Sequence, residues 1–165
     1  MEKDTRRSIL DAALSLLGEH GASRLTLRTV EDAAGVPHGS VRYHFGDRAG
    51  LIGALFAHLA ETEVQGPEAP TDLAVALGRL LGPGRTLTLA RYELFLLAAR
   101  DPTLRPPLIK ARERFVARLA LLLGAERAPG ALAALDGLVL DALVRGEHDP
   151  ESLKRAVEDL LGTRR

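Results

Sequence analysis

Side chains that can bind anions are concentrated between Asp32 and Asp47. No acidic residue lies inside this segment, whereas His38, Arg42 and His44 do. One guanidinium and two imidazoles at this spacing offer donors to phosphate oxygens and to the edges of nucleic-acid bases. The sequence therefore predicts an anion-binding surface that is centred on this segment.

Short helices are predicted to position these side chains. Apolar residues at helical spacing from Ile9 to Leu17 indicate a first helix. Thr26 is expected to cap a second helix of about two turns, which Gly35 ends in a left-handed conformation. Pro37 is expected to begin a third short helix. Phe45 is expected to pack into the core and so to hold that helix in place. Such a helix-turn-helix buries one side of its second helix and presents the other side to the DNA major groove.

The remainder of the chain predicts more helices and no strands. Gly46 and Asp47 are typical of a turn and an N-cap before a longer fourth helix, and residues 65–70 are typical of a loop. Later helices are predicted at 85–100, 104–123, 132–144 and 150–161. We therefore expect an all-α fold, with a three-helix DNA-binding domain at 1–48 and a helical dimerisation and effector-binding bundle at 49–165.

Composition narrows the class of protein. Of the 165 residues, 46% are apolar and 27% are charged, which suits a packed globular chain. The absence of cysteine excludes disulfides, thiolate metal sites and cysteine nucleophiles, and it fits a reducing compartment. The N-terminus lacks a signal-peptide pattern, and the apolar runs are far shorter than the roughly 20 residues that cross a bilayer. We expect a cytoplasmic protein that does not contact a membrane.

The net charge leaves an alternative open. It is zero, whereas DNA-binding proteins commonly carry an excess of lysine and arginine. A helical adaptor that binds protein without sequence-specific DNA binding is therefore the second hypothesis. Its affinity for DNA would show almost no dependence on salt.

The segment from Thr26 to Ile52 closely resembles the DNA-binding signature of the tetracycline-repressor (TetR) family. The resemblance rests on a capped second helix, a basic residue that opens the fourth helix, and the three motifs Ala34-Gly35-Val36, Gly39-Ser40-Val41 and Tyr43-His44-Phe45. Weaker similarity extends through Ala90–Phe95 and Leu135–Leu138. The resemblance implies a homodimeric, ligand-responsive repressor with three helices for DNA and about six for dimerisation and effector binding.

Three positions depart from the family pattern. Pro37, Arg42 and Arg48 stand where the family commonly has serine, tyrosine and lysine. Pro37 can still start a helix, and Arg48 can still hold a phosphate. Arg42 replaces an aromatic ring with a guanidinium that can donate hydrogen bonds to guanine O6 and N7. The operator sequence that relatives prefer therefore cannot be carried over to this chain.

DNA contacts divide into backbone anchors and base readers. Thr26 and Arg28 lie at the start of the second helix, where free amides favour a phosphate, and Tyr43, His44 and Arg48 are further backbone candidates. The outer side of the third helix offers the remaining candidates to the bases: His38, Gly39, Ser40 and Arg42. The expected partner is a double-stranded, palindromic operator.

The C-terminal region yields candidates for an effector pocket and a dimer interface. The identity of a small-molecule effector is not predicted. Residues of the pocket candidates' types belong more often to a plain core, and an arginine such as Arg91 more often to a surface ion pair, than to a ligand site. The pocket candidates are Leu59, Arg91, Tyr92, Phe95 and Phe115. Two apolar stripes are expected to form a four-helix bundle between subunits: Leu108, Phe115, Leu119 and Leu122 on one helix, and Leu132, Leu135, Val139 and Leu143 on the next.

Other constellations do not amount to a catalytic or metal site. His58 and Glu61 supply two potential metal ligands without a third. His38-Gly39-Ser40 lacks the glycine spacing and the preceding strand of a hydrolase loop, and Gly82-Pro83-Gly84 lacks the third glycine of a dinucleotide loop. We expect no enzyme activity, no cofactor and no metal.

Overall fold

All regular elements of the described residues are helices. The computed structural model describes residues 2–64, 73–146 and 149–162. The all-α prediction is confirmed for these ranges, whereas the loop predicted at 65–70 lies outside them. The helices are α1 Glu2–His20, α2 Leu27–Ala34, α3 Ser40–Phe45, α4 Arg48–Val64, α5 Leu73–Leu81, α6 Arg85–Arg100, α7 Arg105–Leu123, α8 Ala128–Arg145 and α9 Pro150–Leu161, with short 3-10 turns at Ala22–Arg24 and Pro102–Leu104.

The chain forms two compact units. The first comprises Met1–Glu63 with Thr86–Ala111, and the second comprises Val64–Arg85 with Arg112–Arg165. The first unit thus contains α6 as well as the predicted DNA-binding helices. These units describe packing, and the functional boundary at residue 48 stays a prediction.

The core of the first unit is built on α1 and α4. Ile9, Leu10, Leu14 and Leu17 are buried on one side of α1, at the three- and four-residue spacing that brings side chains to one helix face. The buried residues contributed by the other elements are Leu25, Val30, Val41, Leu51, Ile52, Leu55, Ala90 and Leu94. This core supports α2 and α3 from beneath.

The second unit is held by contacts among α5, α8 and α9. Asp149 caps α9 by accepting hydrogen bonds from Glu151 N (3.1 Å) and Ser152 Oγ (2.6 Å). Arg112 on α7 donates to the Asp136 carboxylate on α8 at 2.6 Å. None of the helices in the described ranges is both long and apolar enough to cross a membrane.

Candidate nucleic-acid interface

Thr26 and Thr29 form a reciprocal cap at the start of α2. Thr26 Oγ1 accepts from Thr29 N at 3.1 Å, and Thr26 N donates to Thr29 Oγ1 at 3.0 Å. The predicted capping role of Thr26 is confirmed. This cap uses two of the free amide groups that every helix start carries, and Thr26 itself is exposed.

The turn between α2 and α3 is longer than predicted. Gly35 ends α2 with φ 64 and ψ 33, as expected. The prediction that Pro37 opens α3 is wrong, because Gly39 adopts φ 94 and thereby interrupts the helical backbone. Ser40 N donates to Pro37 O at 3.1 Å, and Ser40 Oγ donates to the same oxygen at 2.6 Å. Residues 37–40 therefore close a turn, and α3 begins at Ser40.

A buried carboxylate lies beneath α3. The Oε1 atom of Glu31 accepts hydrogen bonds from Gly39 N (2.9 Å) and Val41 N (3.0 Å), and its Oε2 atom lies 3.3 Å from His38 Nδ1. Burial disfavours the charged form of Glu31, but the hydrogen bonds from Val41, His38 and Gly39 outweigh this effect and lower the pKa of Glu31. Sequence reasoning missed Glu31, and only its position four residues before Gly35 hinted at this role.

The outer face of α3 carries the predicted base readers. Val41 is fully buried, whereas Arg42 is exposed and Tyr43 is 77% exposed. His38 and Gly39 are also exposed in the preceding turn, and Ser40 is half-buried. The structure therefore brings these candidates together on one short helix and its turn, and their contacts with DNA stay a prediction.

Aromatic rings secure the end of α3. The rings of Tyr43 and His44 meet edge to face at 5.0 Å, and those of His44 and Phe45 lie 6.1 Å apart. Phe45 is half-buried, and the guanidinium of Arg6 on α1 lies 5.0 Å from its ring centre. His44 is also half-buried, so it takes part in packing while it remains a candidate phosphate contact.

The two predicted arginine anchors differ in their surroundings. Arg28 is exposed in the first turn of α2. Arg48 opens α4 as predicted, but its Nε donates to Leu25 O at 3.0 Å and its Nη2 donates to Ala22 O at 3.3 Å. Arg48 therefore ties α4 to the connection between α1 and α2, a role that the sequence did not reveal.

His58, which the sequence does not support as a metal ligand, contacts another helix. His58 Nε2 on α4 lies 2.6 Å from Asp11 Oδ1 on α1, and Asp11 also lies 3.8 Å from Arg7. The described residues contain no cluster of three or more His, Cys, Asp or Glu side chains suited to a metal ion. His58 thus joins two helices of the first unit.

Four of the predicted pocket residues lie in the first unit. Leu59 is buried on α4. On α6, the Arg91 guanidinium lies 5.5 Å from the centre of the Tyr92 ring, and the rings of Tyr92 and Phe95 meet edge to face at 6.0 Å. Phe115 is half-buried on α7 in the second unit. A role of these residues in effector binding stays a prediction.

The predicted dimer residues are mostly half-buried within a single chain. Val139 is only 2% exposed and so belongs to the core of its own chain. The side chain of Leu122 lies outside the described residues, and the half-buried members are Leu108, Phe115, Leu119, Leu132, Leu135 and Leu143. A different stripe of α8 faces outward: Ala133, Gly137, Leu140 and Val144.

Two family models match the chain. The model described as bacterial regulatory proteins, tetR family, matches residues 9–55. The model described as tetracyclin repressor-like, C-terminal domain, matches residues 65–163, which is more than half of the chain.

Individual relatives support the same grouping. An HTH-type transcriptional repressor of Mycobacterium tuberculosis strain H37Rv is 33% identical over 119 residues, which are 68% of this chain and 62% of that protein. The match thus covers less than two thirds of that relative. The solved structure of the multidrug binding protein EbrR complexed with ethidium is 34% identical, with a TM-score of 0.77 over 94% of this chain and 98% of that chain. The solved structure of a TetR-family member from Streptomyces coelicolor A3 is 34% identical. Its TM-score is 0.78, and the match covers 95% of this chain and 98% of that chain.

Proposed function

Because the chain belongs to the tetracycline-repressor (TetR) family, we propose that it is a ligand-responsive transcriptional repressor that binds a palindromic operator as a homodimer. The observation that carries this proposal is the exposed face of α3, where Arg42 and Tyr43 point away from a core that holds Val41. The proposed partner of the protein is duplex DNA, so its proposed location is the cytoplasm.

The proposed contacts follow from exposure and chemistry. Arg42 reads a base edge in the major groove, since a guanidinium can pair with guanine O6 and N7. Arg28 and the capped start of α2 hold phosphates, because exposed donors at a helix start attract anions. Tyr43 supplies a hydroxyl for the DNA backbone at the end of α3.

The proposed dimer interface is the outward stripe of α8. Val144 is 78% exposed in the single chain, and Leu140 is exposed on the same side of the helix. Ala133 and Gly137 continue this side with small residues, which let a second helix approach closely. A two-fold axis would bring two copies of one stripe together. A palindromic operator for such a dimer has half-sites about 34 Å apart.

The proposed effector is an aromatic molecule. EbrR, which is similar to this chain along nearly its whole length, has been solved in complexes with ethidium and with proflavin. Tyr92 and Phe95 offer adjacent rings on α6 for such a ligand. Titration calorimetry with ethidium, in the absence of DNA, should give a binding isotherm that Tyr92→Ala weakens and Tyr43→Ala leaves unchanged.

A helical adaptor that binds protein instead of DNA receives less support. The family model that matches residues 9–55 describes bacterial regulatory proteins, the Mycobacterium tuberculosis relative is a transcriptional repressor, and the Streptomyces coelicolor protein is a TetR-family member. The exposed Arg42 and Tyr43 also suit a nucleic-acid surface better than an apolar protein contact.

Selection of bound fragments from random duplex DNA tests the proposal. The purified chain should enrich one motif whose two halves are related by two-fold symmetry. Arg42→Ala should lose preference at one base pair in each half. Recovery of random sequences by the unmodified chain would refute sequence-specific operator binding.

A further inference from the structure

The two carboxylate oxygens of Glu31 have different partners. The Oε1 atom accepts both backbone hydrogen bonds from the start of α3, from Gly39 N and Val41 N. The Oε2 atom is left for His38 Nδ1, at 3.3 Å. The side chain of Glu31 is only 6% exposed, so water competes little for these bonds. The imidazole of His38 is thereby oriented at the edge of the proposed DNA-reading surface.

This contact restricts the proton of the imidazole. An ionised carboxylate accepts hydrogen bonds and cannot donate them, so the ring nitrogen that faces Oε2 must carry a hydrogen. The hydrogen bonds from Val41 N and Gly39 N favour the ionised carboxylate and lower the pKa of Glu31. When the ring of His38 is neutral, Nδ1 therefore carries the hydrogen and Nε2 holds a free lone pair.

Asp32 is the one competitor on α2 for the position of this proton. Its Oδ1 atom lies 3.9 Å from His38 Nε2, beyond hydrogen-bond distance, and its side chain is 61% exposed. Solvent therefore screens Asp32 much more strongly than it screens Glu31. The nearer and buried carboxylate determines which nitrogen is protonated.

We propose that Glu31 is a specificity-determining positioning residue, which fixes the tautomer of His38 and so the class of base that His38 reads. This inference rests on the proposed function. With Nε2 as an acceptor, His38 selects a base that presents an amino donor in the major groove, which is the N4 group of cytosine or the N6 group of adenine.

Glu31→Gln reverses the tautomer while it preserves the shape of the side chain. The amide oxygen must face Gly39 N and Val41 N, because two backbone donors would otherwise oppose the amide nitrogen. The amide nitrogen then faces His38 Nδ1 and donates to it, so the hydrogen moves to Nε2. Nε2 becomes a donor and favours an acceptor, such as guanine O6 or thymine O4.

Long-range proton–nitrogen NMR on the free protein tests the tautomer directly. At about pH 8, where an ordinary imidazole is neutral, the unmodified chain should show His38 with its hydrogen on Nδ1. Glu31→Gln should show it on Nε2, and the matched control Asp32→Asn should retain Nδ1. A hydrogen on Nε2 in the unmodified chain would overturn the inference, whether or not the protein binds DNA.

Base selection tests the consequence. Glu31→Gln should exchange cytosine for guanine, or adenine for thymine, at one position per half-site, with a change in preference of roughly five- to tenfold. In a His38→Ala background, Glu31→Gln should cause no such exchange. An unchanged motif despite a reversed tautomer would refute base reading by His38. If the unmodified chain selects no motif at all, the proposed function fails, and base reading by His38 fails with it.

Discussion

The main chain of Thr86 occupies the space that a side chain at Gly18 would need. A Cβ atom built on Gly18 would lie 2.0 Å from the carbonyl oxygen of Thr86 and 2.8 Å from its Cγ2 atom. Helices α1 and α6 are therefore in direct backbone contact. Nearby, the Glu93 carboxylate on α6 accepts a hydrogen bond from Ala22 N at 3.2 Å, so α6 also contacts the connection that leads to α2.

Gly18→Ala is expected to destabilise the protein by about 2 to 3 kcal/mol, since two helix backbones must separate to admit one methyl group. Urea unfolding measures this free energy. Gly53→Ala in α4 is the matched control, because nothing lies within 4 Å of its added Cβ. That control should be neutral or stabilising by up to about 1 kcal/mol. Equal effects of the two substitutions would contradict the close contact.

Val144→Glu is expected to dissociate the proposed homodimer without unfolding the chain. Val144 is exposed in the single chain, whereas the two-fold interface would bury two new carboxylates without partners. The dimer dissociation constant, measured by analytical ultracentrifugation, should rise on the order of 100-fold or more. Leu96→Glu places the same charge at an exposed position of α6 and should leave the dimer intact. A dimer that persists in Val144→Glu would exclude this stripe as the interface.

Arg42→Ala and Arg28→Ala are expected to weaken DNA binding in different ways. Loss of Arg42 should reduce discrimination at one base position by about 1 to 3 kcal/mol. Loss of Arg28 should weaken binding to all sequences alike, because a phosphate contact carries no base information. Fluorescence anisotropy with the selected duplex and with random duplexes separates the two effects. The division of roles is contradicted if both variants lose affinity equally on both kinds of DNA.

Asp149→Asn is expected to reduce the pH dependence of stability. Hydrogen bonds from the Ser152 hydroxyl and the Glu151 amide lower the pKa of Asp149 in the folded protein. The folded state therefore binds the proton less tightly than the unfolded chain. The resulting stabilisation is present above the ordinary aspartate pKa of about 4, and it is lost as the pH falls through the lowered value. Thermal unfolding should separate the two proteins most at neutral pH and least in acid, whereas parallel pH profiles would contradict this role.

Local capping could be predicted from the sequence because its partners are close along the chain. Thr26 Oγ1 accepts from Thr29 N, and Asp47 Oδ1 accepts from Gly50 N at 2.8 Å, so the two partners of each cap are only three positions apart. Gly35 likewise ends α2 through its own backbone conformation. These positions depend on short-range chemistry that residue type largely determines.

Contacts between distant segments could not be predicted in this way. A glutamate in a helix is ordinarily exposed to solvent, so its residue type gave no sign that Glu31 is buried. Only the folded turn brings the amides of Gly39 and Val41 to its carboxylate. Arg48 has partners 23 and 26 residues earlier in the chain. On α8, apolar residues lie on several sides of the helix, so the pattern alone did not show that Val139 is buried and Val144 exposed.

The dependence of DNA affinity on ionic strength tests the central claim most directly. On the selected duplex, about four to eight phosphate contacts per dimer should give a plot of log affinity against log salt with a slope between about −4 and −7. The affinity for random duplexes should be much lower at every salt concentration. A slope near zero, or equal affinity for selected and random duplexes, would contradict operator binding through α3.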